Sequence, residues 1–352
     1  MKRILFLLIT IATLGCHAQT EVSTFFTGAN EGVTYCLPDT RIEITLEATC
    51  IKRIPGEFCR YAERYLRVNN AIGKAESFWE LDRVSVDKKG VPAKEKMFTI
   101  KLNGSTASNI TLDEQGIIAA INTTVTQPAT EETASAQSNG KHPDASVYMT
   151  EEMLQATSTA KLAELTAKEI YAIRESKLAI TRGQAENMPN DGLAMQLVLS
   201  ELDKQERALM ELFIGRTDTI RQKTHVVIEP DEHCDTTKAV LLRFSRKLGF
   251  LEKDNLAGEP VYYSLRDLKS VKLPTAEEAA KKKTVKKEGI CYNIPGKAEI
   301  EIFTRTRKLA KLEIPVAQLG TTEILSKNLF NKNSTTKVLF DTATGGIISI
   351  EK

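Results

Sequence analysis

The sequence contains few of the residues that usually carry catalytic or binding chemistry. It has one tryptophan and four histidines in 352 residues, and aromatic side chains make up 6% of the chain. The patterns GxGxxG, GxxxxGK[ST], GxSxG and HExxH are absent, so nucleotide-binding, α/β-hydrolase and zinc-protease functions lack their usual signatures. No CxxC spacing occurs, which removes support for zinc-ribbon and thioredoxin-like sites.

An excess of one charge is also lacking. The 48 basic and 46 acidic side chains leave a net charge of +2, which gives no field able to attract a nucleic acid. The composition, 41% hydrophobic and 27% charged, is that of a globular protein with sizeable cores. We therefore expect about two or three domains and no nucleic-acid partner.

No hydrophobic run is long enough to cross a membrane, but the N-terminus has the pattern of a targeting segment. Lys2 and Arg3 precede an apolar stretch at 4–14, which is shorter than the about 20 residues that a membrane span needs. We predict a signal peptide at 1–18 and export to the periplasm or outer membrane of a Gram-negative bacterium. Two routes remain open, which are cleavage after Ala18 and lipidation of Cys16 in a lipobox-like "TLGC".

Export would place the cysteines where disulfides can form. A Cys50–Cys59 bridge across "CIKRIPGEFC" is one interpretation. The other, which we favour, is that most of the cysteines are small buried side chains.

Two stretches near opposite ends of the chain resemble each other. "YCLPDTRIEITLE" and "CYNIPGKAEIEIF" both alternate apolar and polar residues with the period of two of a half-buried strand. The later stretches "NITLDEQGIIAAIN" and "KVLFDTATGGIISIE" both read as a strand, a turn with Asp and Gly, and a second strand. We predict an α+β fold with two related β-rich modules, 31–125 and 289–352, derived from a duplication. The first module includes a short helix after Pro55.

The segment between the modules is predicted to be largely helical. A linker at 126–147 leads to a long antiparallel helical hairpin at 148–216, which begins at a Thr150 cap and ends at Gly215. A strand–helix–strand segment follows at 222–268, with its helix at 235–250, and then a charged linker at 269–288. The apolar stripes of the two long helices are formed by the following leucines, isoleucines and phenylalanine: Leu154, Leu162, Leu165, Ile170, Ile173 and Leu178 in the first helix, and Leu193, Leu197, Leu202, Leu209, Leu212 and Phe213 in the second.

Candidate site residues are sparse. Arg174, Glu175 and Arg182 lie near the end of the hairpin and form a candidate partner surface, although ion pairs within the helix and a helix stop are the explanation that we favour. His225 and His233 are separated by carboxylates and followed by Cys234, but a strand and the loop after it do not force these side chains to converge. We therefore predict no metal site, no cofactor and no catalytic residues.

Two further residues have more than one interpretation. His142 lies in the predicted linker, where we expect it to be exposed to solvent. Trp79 is expected to pack on a sheet face, and in the alternative it would act as an aromatic platform for a glycan.

Four stretches together resemble a known family: "IPGEFCRYAERYL", "STAKLAELTAKEIYAIRESKLAITRGQAENMPNDG", "RFSRKLGFLEKDNLAGEPVYYSL" and "YNIPGKAEIEI". They are similar to domain of unknown function 4831, a family of exported proteins common in Bacteroides-type bacteria. The resemblance implies location and architecture but no activity or site residues. An aromatic pair is expected at the start of each of the two stretches that resemble each other. This chain has Tyr35-Cys36 at the first and Cys291-Tyr292 at the second, which makes both cysteines look like substituted packing residues.

The function expected from the sequence is that of a non-catalytic binding or scaffolding protein of the cell envelope. Its partner would be another envelope protein or a glycan, with association at the outer membrane or in the periplasm. The alternatives are a hydrolase that acts on envelope or dietary polymers and a glycan-binding protein that uses Trp79.

Overall fold

The computed structural model describes residues 33–100, 109–123, 142–186, 191–231, 235–272, 289–326, 329 and 336–351. The strands are, in chain order, β1 Val33–Ile54, β2 Glu76–Ile100, β3 Ile110–Leu112, β4 Ile118–Ile121, β5 Arg216–Ile228, β6 Thr236–Ser245, β7 Gly249–Leu251, β8 Glu259–Asp267, β9 Gly289–Phe303, β10 Lys308–Ser326, β11 Lys337–Phe340 and β12 Ile347–Glu351. The helices are α1 Ala62–Leu66, α2 Glu151–Leu154, α3 Thr159–Thr181 and α4 Gly192–Ile214, with 3-10 turns at Cys59–Tyr61 and Ala145–Tyr148. The fold is thus mixed α and β, as predicted, with several antiparallel sheets.

Strand β1 forms the middle of a three-stranded antiparallel sheet of order β2-β1-β5. Apolar and polar residues alternate along β1, and this buries one face of the strand as predicted. Ile42, Ile44 and Leu46 are fully buried, while the residues between them lie on the opposite, partly exposed face. The register between β1 and β2 shifts between Cys36 and Pro38. This sheet supplies one wall of the main core.

The second sheet has five antiparallel strands in the order β10-β9-β8-β6-β7. The helix predicted at 235–250 is wrong, because Thr236–Ser245 is strand β6 and the described residues of 222–268 form no helix. The reason is tertiary, since β6 has a hydrogen-bonded neighbour on each side, β7 and β8, and therefore gains two ladders that a helix would not make. The local spacing of apolar residues in "KAVLLRF" fits both the period of a helix and the period of a strand.

The two sheets pack face to face around one hydrophobic core. Sheet β2-β1-β5 contributes Ile42, Ile44 and Leu46, and the five-stranded sheet contributes apolar side chains from β6, β8, β9 and β10. Val261, Ile300 and Ile302 are among the side chains buried there. Residues far apart in the chain therefore share this core.

A third sheet, of order β12-β11-β4-β3, joins the first part of the chain to the last, because β4 pairs with β11. The turns of its two hairpins are built alike. In each, an aspartate, Asp113 or Asp341, accepts the backbone N–H two residues further along. Each turn also holds a glycine at positive φ, Gly116 at 82° and Gly345 at 72°.

The helical segment forms the predicted hairpin, with one difference at its start. Thr150 caps a helix as predicted, but that helix is the short α2, and a second cap at Ser158 starts α3. Contacts between α3 and α4 run antiparallel, since Arg174 meets Glu206 and Lys177 meets Asp203. The base of the hairpin packs on the 3-10 turn and α1 in a core of its own, formed by Phe58, Ala62, Leu66, Ala163, Ala167, Ile170, Ile173, Leu209 and Phe213.

Several predicted features lie outside the described residues. They are the signal peptide at 1–18 with Cys16, most of the linker at 126–147, most of the charged linker at 269–288, and His233 and Cys234. Within the described ranges, no helix combines the length and the apolar character required to span a membrane. Cys50 and Cys59 are free thiols, so the bridge considered between them is not formed.

Candidate functional site

The far end of the hairpin exposes large apolar side chains. Leu193 is 79% exposed, Leu197 69% and Leu178 48%, and we call these three leucines the distal surface. All three belong to the apolar stripes predicted from the sequence, and the stripes continue here beyond the buried helix core. The helix core lies at the base of the hairpin, where α1 covers it, and no described element covers the far end.

Helix geometry places Leu193 and Leu197 on one face of α4. Leu193 and Leu197 are four residues apart at the start of α4, where the Asp191 side chain caps the helix by accepting the Ala194 N–H at 2.7 Å. Leu178 lies near the C-terminus of α3, on the same face as Glu175 and Arg182, three residues before it and four after it. Glu175 and Arg182 are both exposed.

Arg174 lies in a different place from the other two predicted residues. Its Nε donates to Glu206 Oε1 at 2.6 Å, its Nη2 contacts Met210 Sδ at 3.6 Å, and its guanidinium stacks over the Tyr171 ring. The contacts with Glu206 and Met210 lie between the two helices, so Arg174 joins α3 to α4. The sequence alone does not show this pairing, because it joins residues from two helices.

Lys177 extends the same ion network. Its Nζ lies 2.5 Å from Asp203 Oδ1 and 2.5 Å from Glu206 Oε2. Burial alone would raise the pKa of Glu206, but the charges of Lys177 and Arg174 hold it below its usual range. Burial would likewise lower the pKa of Lys177, and its two carboxylate partners raise it instead.

His142 is packed rather than exposed, contrary to the prediction. Its Nδ1 lies 3.1 Å from Glu211 Oε1 on α4, and its Nε2 lies 2.8 Å from Asp218 Oδ1 on β5. The second contact is not aligned for a hydrogen bond. The histidine therefore ties the end of the predicted linker to both the hairpin and the first sheet, which is a structural role.

Of the candidate metal ligands around His225, His233 and Cys234 lie outside the described residues. The described residues contain no group of three His, Cys, Asp or Glu side chains arranged to hold a metal ion. His225 lies on the outer face of the first sheet, where its Nδ1 is 2.9 Å from Thr45 Oγ1.

Two open clefts lie beside the sandwich. One, of about 420 Å³, contains Asp39, Arg41, Lys96 and Glu229, but these charges neutralise each other in two ion pairs, Arg41–Glu229 at 2.7 Å and Lys96–Asp39 at 3.1 Å. The other, of about 890 Å³, contains Trp79. We call this second one the tryptophan cleft.

Residues 31–348 match a family model described as Domain of unknown function (DUF4831). No curated protein matches the chain. No solved structure matches it either.

Proposed function

The chain belongs to the family described as Domain of unknown function (DUF4831), and we propose that it is an exported, non-catalytic binding or scaffolding protein of the bacterial cell envelope. In this proposal the distal surface of the hairpin docks another envelope protein. The N-terminal targeting pattern of Lys2, Arg3 and the apolar stretch at 4–14 supports the location.

The observation that carries the proposal is the exposure of Leu178, Leu193 and Leu197 at one end of the molecule. Clustered exposed leucines leave apolar surface in contact with water, and a partner that covers it gains the free energy of burial. Glu175 and Arg182 lie beside Leu178 and would form a charged rim, which contributes to specificity more than to affinity. The partner surface is therefore expected to be apolar at its centre.

We also propose that the two β-rich modules are copies of one unit and that the hairpin was inserted between them. The support is a matching contact in each half. The Cys36 N–H donates to the carbonyl of the turn residue Gly116 at 2.9 Å, and the Asn293 N–H donates to the carbonyl of the turn residue Gly345 at 2.9 Å. An inserted element that packs mainly on itself and α1 leaves its far end available for a partner.

The test compares two variants of the full chain in affinity capture from envelope extracts. The double variant Leu193→Ser and Leu197→Ser removes the apolar character of the surface and is expected to lose proteins that the wild type retains. Gln196→Ser, an exposed change on the same turn of α4, is the matched control and should retain them.

Circular dichroism and thermal unfolding must first show that both variants are folded. Recovery of the same proteins by the folded double variant would contradict the proposal. Deletion of the whole hairpin is a poorer test, because it would uncover Phe58, Ala62 and Leu66, which are buried against α3 and α4.

A further inference from the structure

The tryptophan cleft lies at one end of the sandwich, between strand β2 and the turns that follow β6 and β9. At about 890 Å³ it is within the range of small-molecule sites, which is roughly 300–1,000 Å³. Trp79 reaches it from β2, and the position of the indole is fixed. Its backbone N–H donates to the Arg246 carbonyl at 2.7 Å, and the backbone of Gly249 lies against the ring, since a Cβ there would be 3.1 Å from two indole carbons.

Two arginines on the cleft wall are held in place by contacts that leave their charge unpaired. The guanidinium of Arg246 stacks over the Phe78 ring, 4.8 Å from its centroid. Arg307 Nη2 donates to the Leu81 carbonyl at 3.2 Å, which joins the β9–β10 turn to β2. Neither arginine pairs with a carboxylate among the described residues, so most of their N–H groups are available to a ligand.

Three carboxylates also line the cleft. Glu80, Asp82 and Glu259 are exposed, and none of them forms an ion pair within the described part of the chain, although Asp82 accepts the Thr49 hydroxyl. In the smaller cleft, by contrast, four of the charged side chains are joined in two ion pairs. The tryptophan cleft thus presents fixed donors, free acceptors and an aromatic ring.

This combination selects a class of ligand. A strongly anionic ligand would be repelled by Glu80 and Glu259, and a strongly cationic ligand would be repelled by Arg246 and Arg307. A neutral molecule with many hydroxyl groups avoids both conflicts, because hydroxyls accept from arginine and donate to carboxylates. Its apolar ring face can lie on the indole. We propose that the tryptophan cleft binds a neutral oligosaccharide, independently of the hairpin and its partner.

Binding in this cleft can be followed by intrinsic tryptophan fluorescence, because Trp79 is the only tryptophan in the sequence. The full chain would be titrated with four neutral hexasaccharides, built from glucose in α-1,4 and β-1,4 linkage, from xylose and from mannose, and with a hexauronate and a mixed-charge peptide of similar size. We expect a saturable change in tryptophan fluorescence with at least one neutral hexasaccharide. The affinity should be unchanged between low and high salt, since no net charge is neutralised.

Calorimetry with the variants then locates the site. Glu259→Gln and Arg246→Gln are expected to weaken binding about tenfold each, whereas Lys247→Gln, an exposed change outside the cleft, should leave the affinity within about twofold. Trp79→Phe tests the ring, with thermal unfolding to show that the variant is folded. Equal affinity in all variants, no response to any neutral hexasaccharide, or salt-sensitive binding of only the hexauronate or the peptide would each overturn the proposal.

Discussion

Tyr35 connects the first strand of the chain to β9. It is fully buried, its hydroxyl donates to the Cys291 carbonyl at 3.1 Å, and the same hydroxyl accepts the Cys291 N–H at 2.7 Å. Burial raises the pKa of Tyr35 well above its ordinary value. Cys291 is itself buried, which fits the packing role expected for it from the sequence.

Asp341 is a second residue on which the junction of the two halves depends. Its carboxylate pairs with Lys88 of β2, accepts the Ala343 N–H at 3.0 Å and accepts the Thr344 hydroxyl at 2.9 Å. Burial alone would raise the pKa of Asp341, but Lys88 and the two hydrogen bonds hold it below its usual range. The ionised form is therefore the one that the fold requires.

We predict that Asp341→Asn lowers the free energy of unfolding by about 2 kcal/mol near pH 7, because charge-assisted hydrogen bonds contribute roughly 1.5–3 kcal/mol. The pKa of this group is lower in the folded chain than in the unfolded one, where it is about 3.9. Its contribution is thus present above that value and is lost as the pH falls through the folded-state pKa. Urea unfolding across this range should show the wild type and the variant converging in acid.

Asp254→Asn is the matched control for this prediction, since Asp254 is exposed and makes no hydrogen bond or ion pair within the described ranges. It should change the free energy of unfolding by no more than about 0.5 kcal/mol. A difference between wild type and Asp341→Asn that stays constant down to about pH 2 would contradict the assignment.

At the scale of elements, the hairpin depends on ions as well as on apolar packing. Glu206 is the shared partner of Arg174 and Lys177, and its side chain is only 19% exposed. We predict that Glu206→Gln lowers the free energy of unfolding by about 2 kcal/mol, because the largely buried Lys177 and the partly exposed Arg174 lose the anion that they share, and only Lys177 keeps another, Asp203. Amide hydrogen exchange in α3 and α4 should accelerate more than in the sheets.

Glu164→Gln provides the comparison for the hairpin, because Glu164 pairs with Lys161 and Lys168 on the outer side of α3. Surface pairs of this kind contribute about 0.5 kcal/mol or less. Equal losses in the two variants would mean that the contacts between the helices add nothing beyond surface ion pairs.

The elements also show what the sequence could predict. Local signals located α1 after Pro55, the cap at Thr150 and the end of the hairpin near Gly215. They failed for Thr236–Ser245, where hydrogen bonding to a strand on each side decides the structure. They also missed the cap at Ser158, because the apolar spacing predicted one continuous helix where the structure has two. Capping is a local interaction, but strand pairing is not.

At the two candidate sites, too, the sequence could predict local features but not those that depend on the tertiary fold. Glu175 and Arg182 could be placed near the hairpin end from helix spacing, whereas the exposure of Leu193 could not, because spacing does not show where a covering element stops. Trp79 attracted attention as the sole tryptophan. The cleft partners Arg246 and Arg307 come from distant segments, and only the tertiary fold brings them to it.

At the scale of the whole molecule, the N-terminal and C-terminal modules depend on each other. β4 pairs with β11, and side chains from both modules share two cores. The C-terminal module also pairs, through β9, with β8 of the preceding segment. We predict that a chain divided within 273–288 yields two fragments that purify together when they are produced together. The fragment that begins at residue 289, produced alone, should show no cooperative unfolding transition, because its inner face is uncovered.

Circular dichroism and urea unfolding of the separate and combined fragments check this prediction. Cooperative unfolding of the short fragment alone would mean that the C-terminal module is an independent domain. A matched division within 187–190, between α3 and α4, also separates paired strands, β1 from β5 and β4 from β11, so those two fragments should likewise purify together when they are produced together.

The contact between Tyr35 and Cys291 also governs the order in which the molecule can form. Pairings across such long sequence separations are slow to close, since the entropy of a large loop is lost before any contact compensates for it. During synthesis, β1 is made first, but its neighbour β5 and the β9 side chains that pack against its first residues are made much later. The N-terminal strand therefore forms its full set of contacts last. The chain should accordingly refold from urea on a timescale of about milliseconds to seconds, with the hairpin protected from exchange before the sheets.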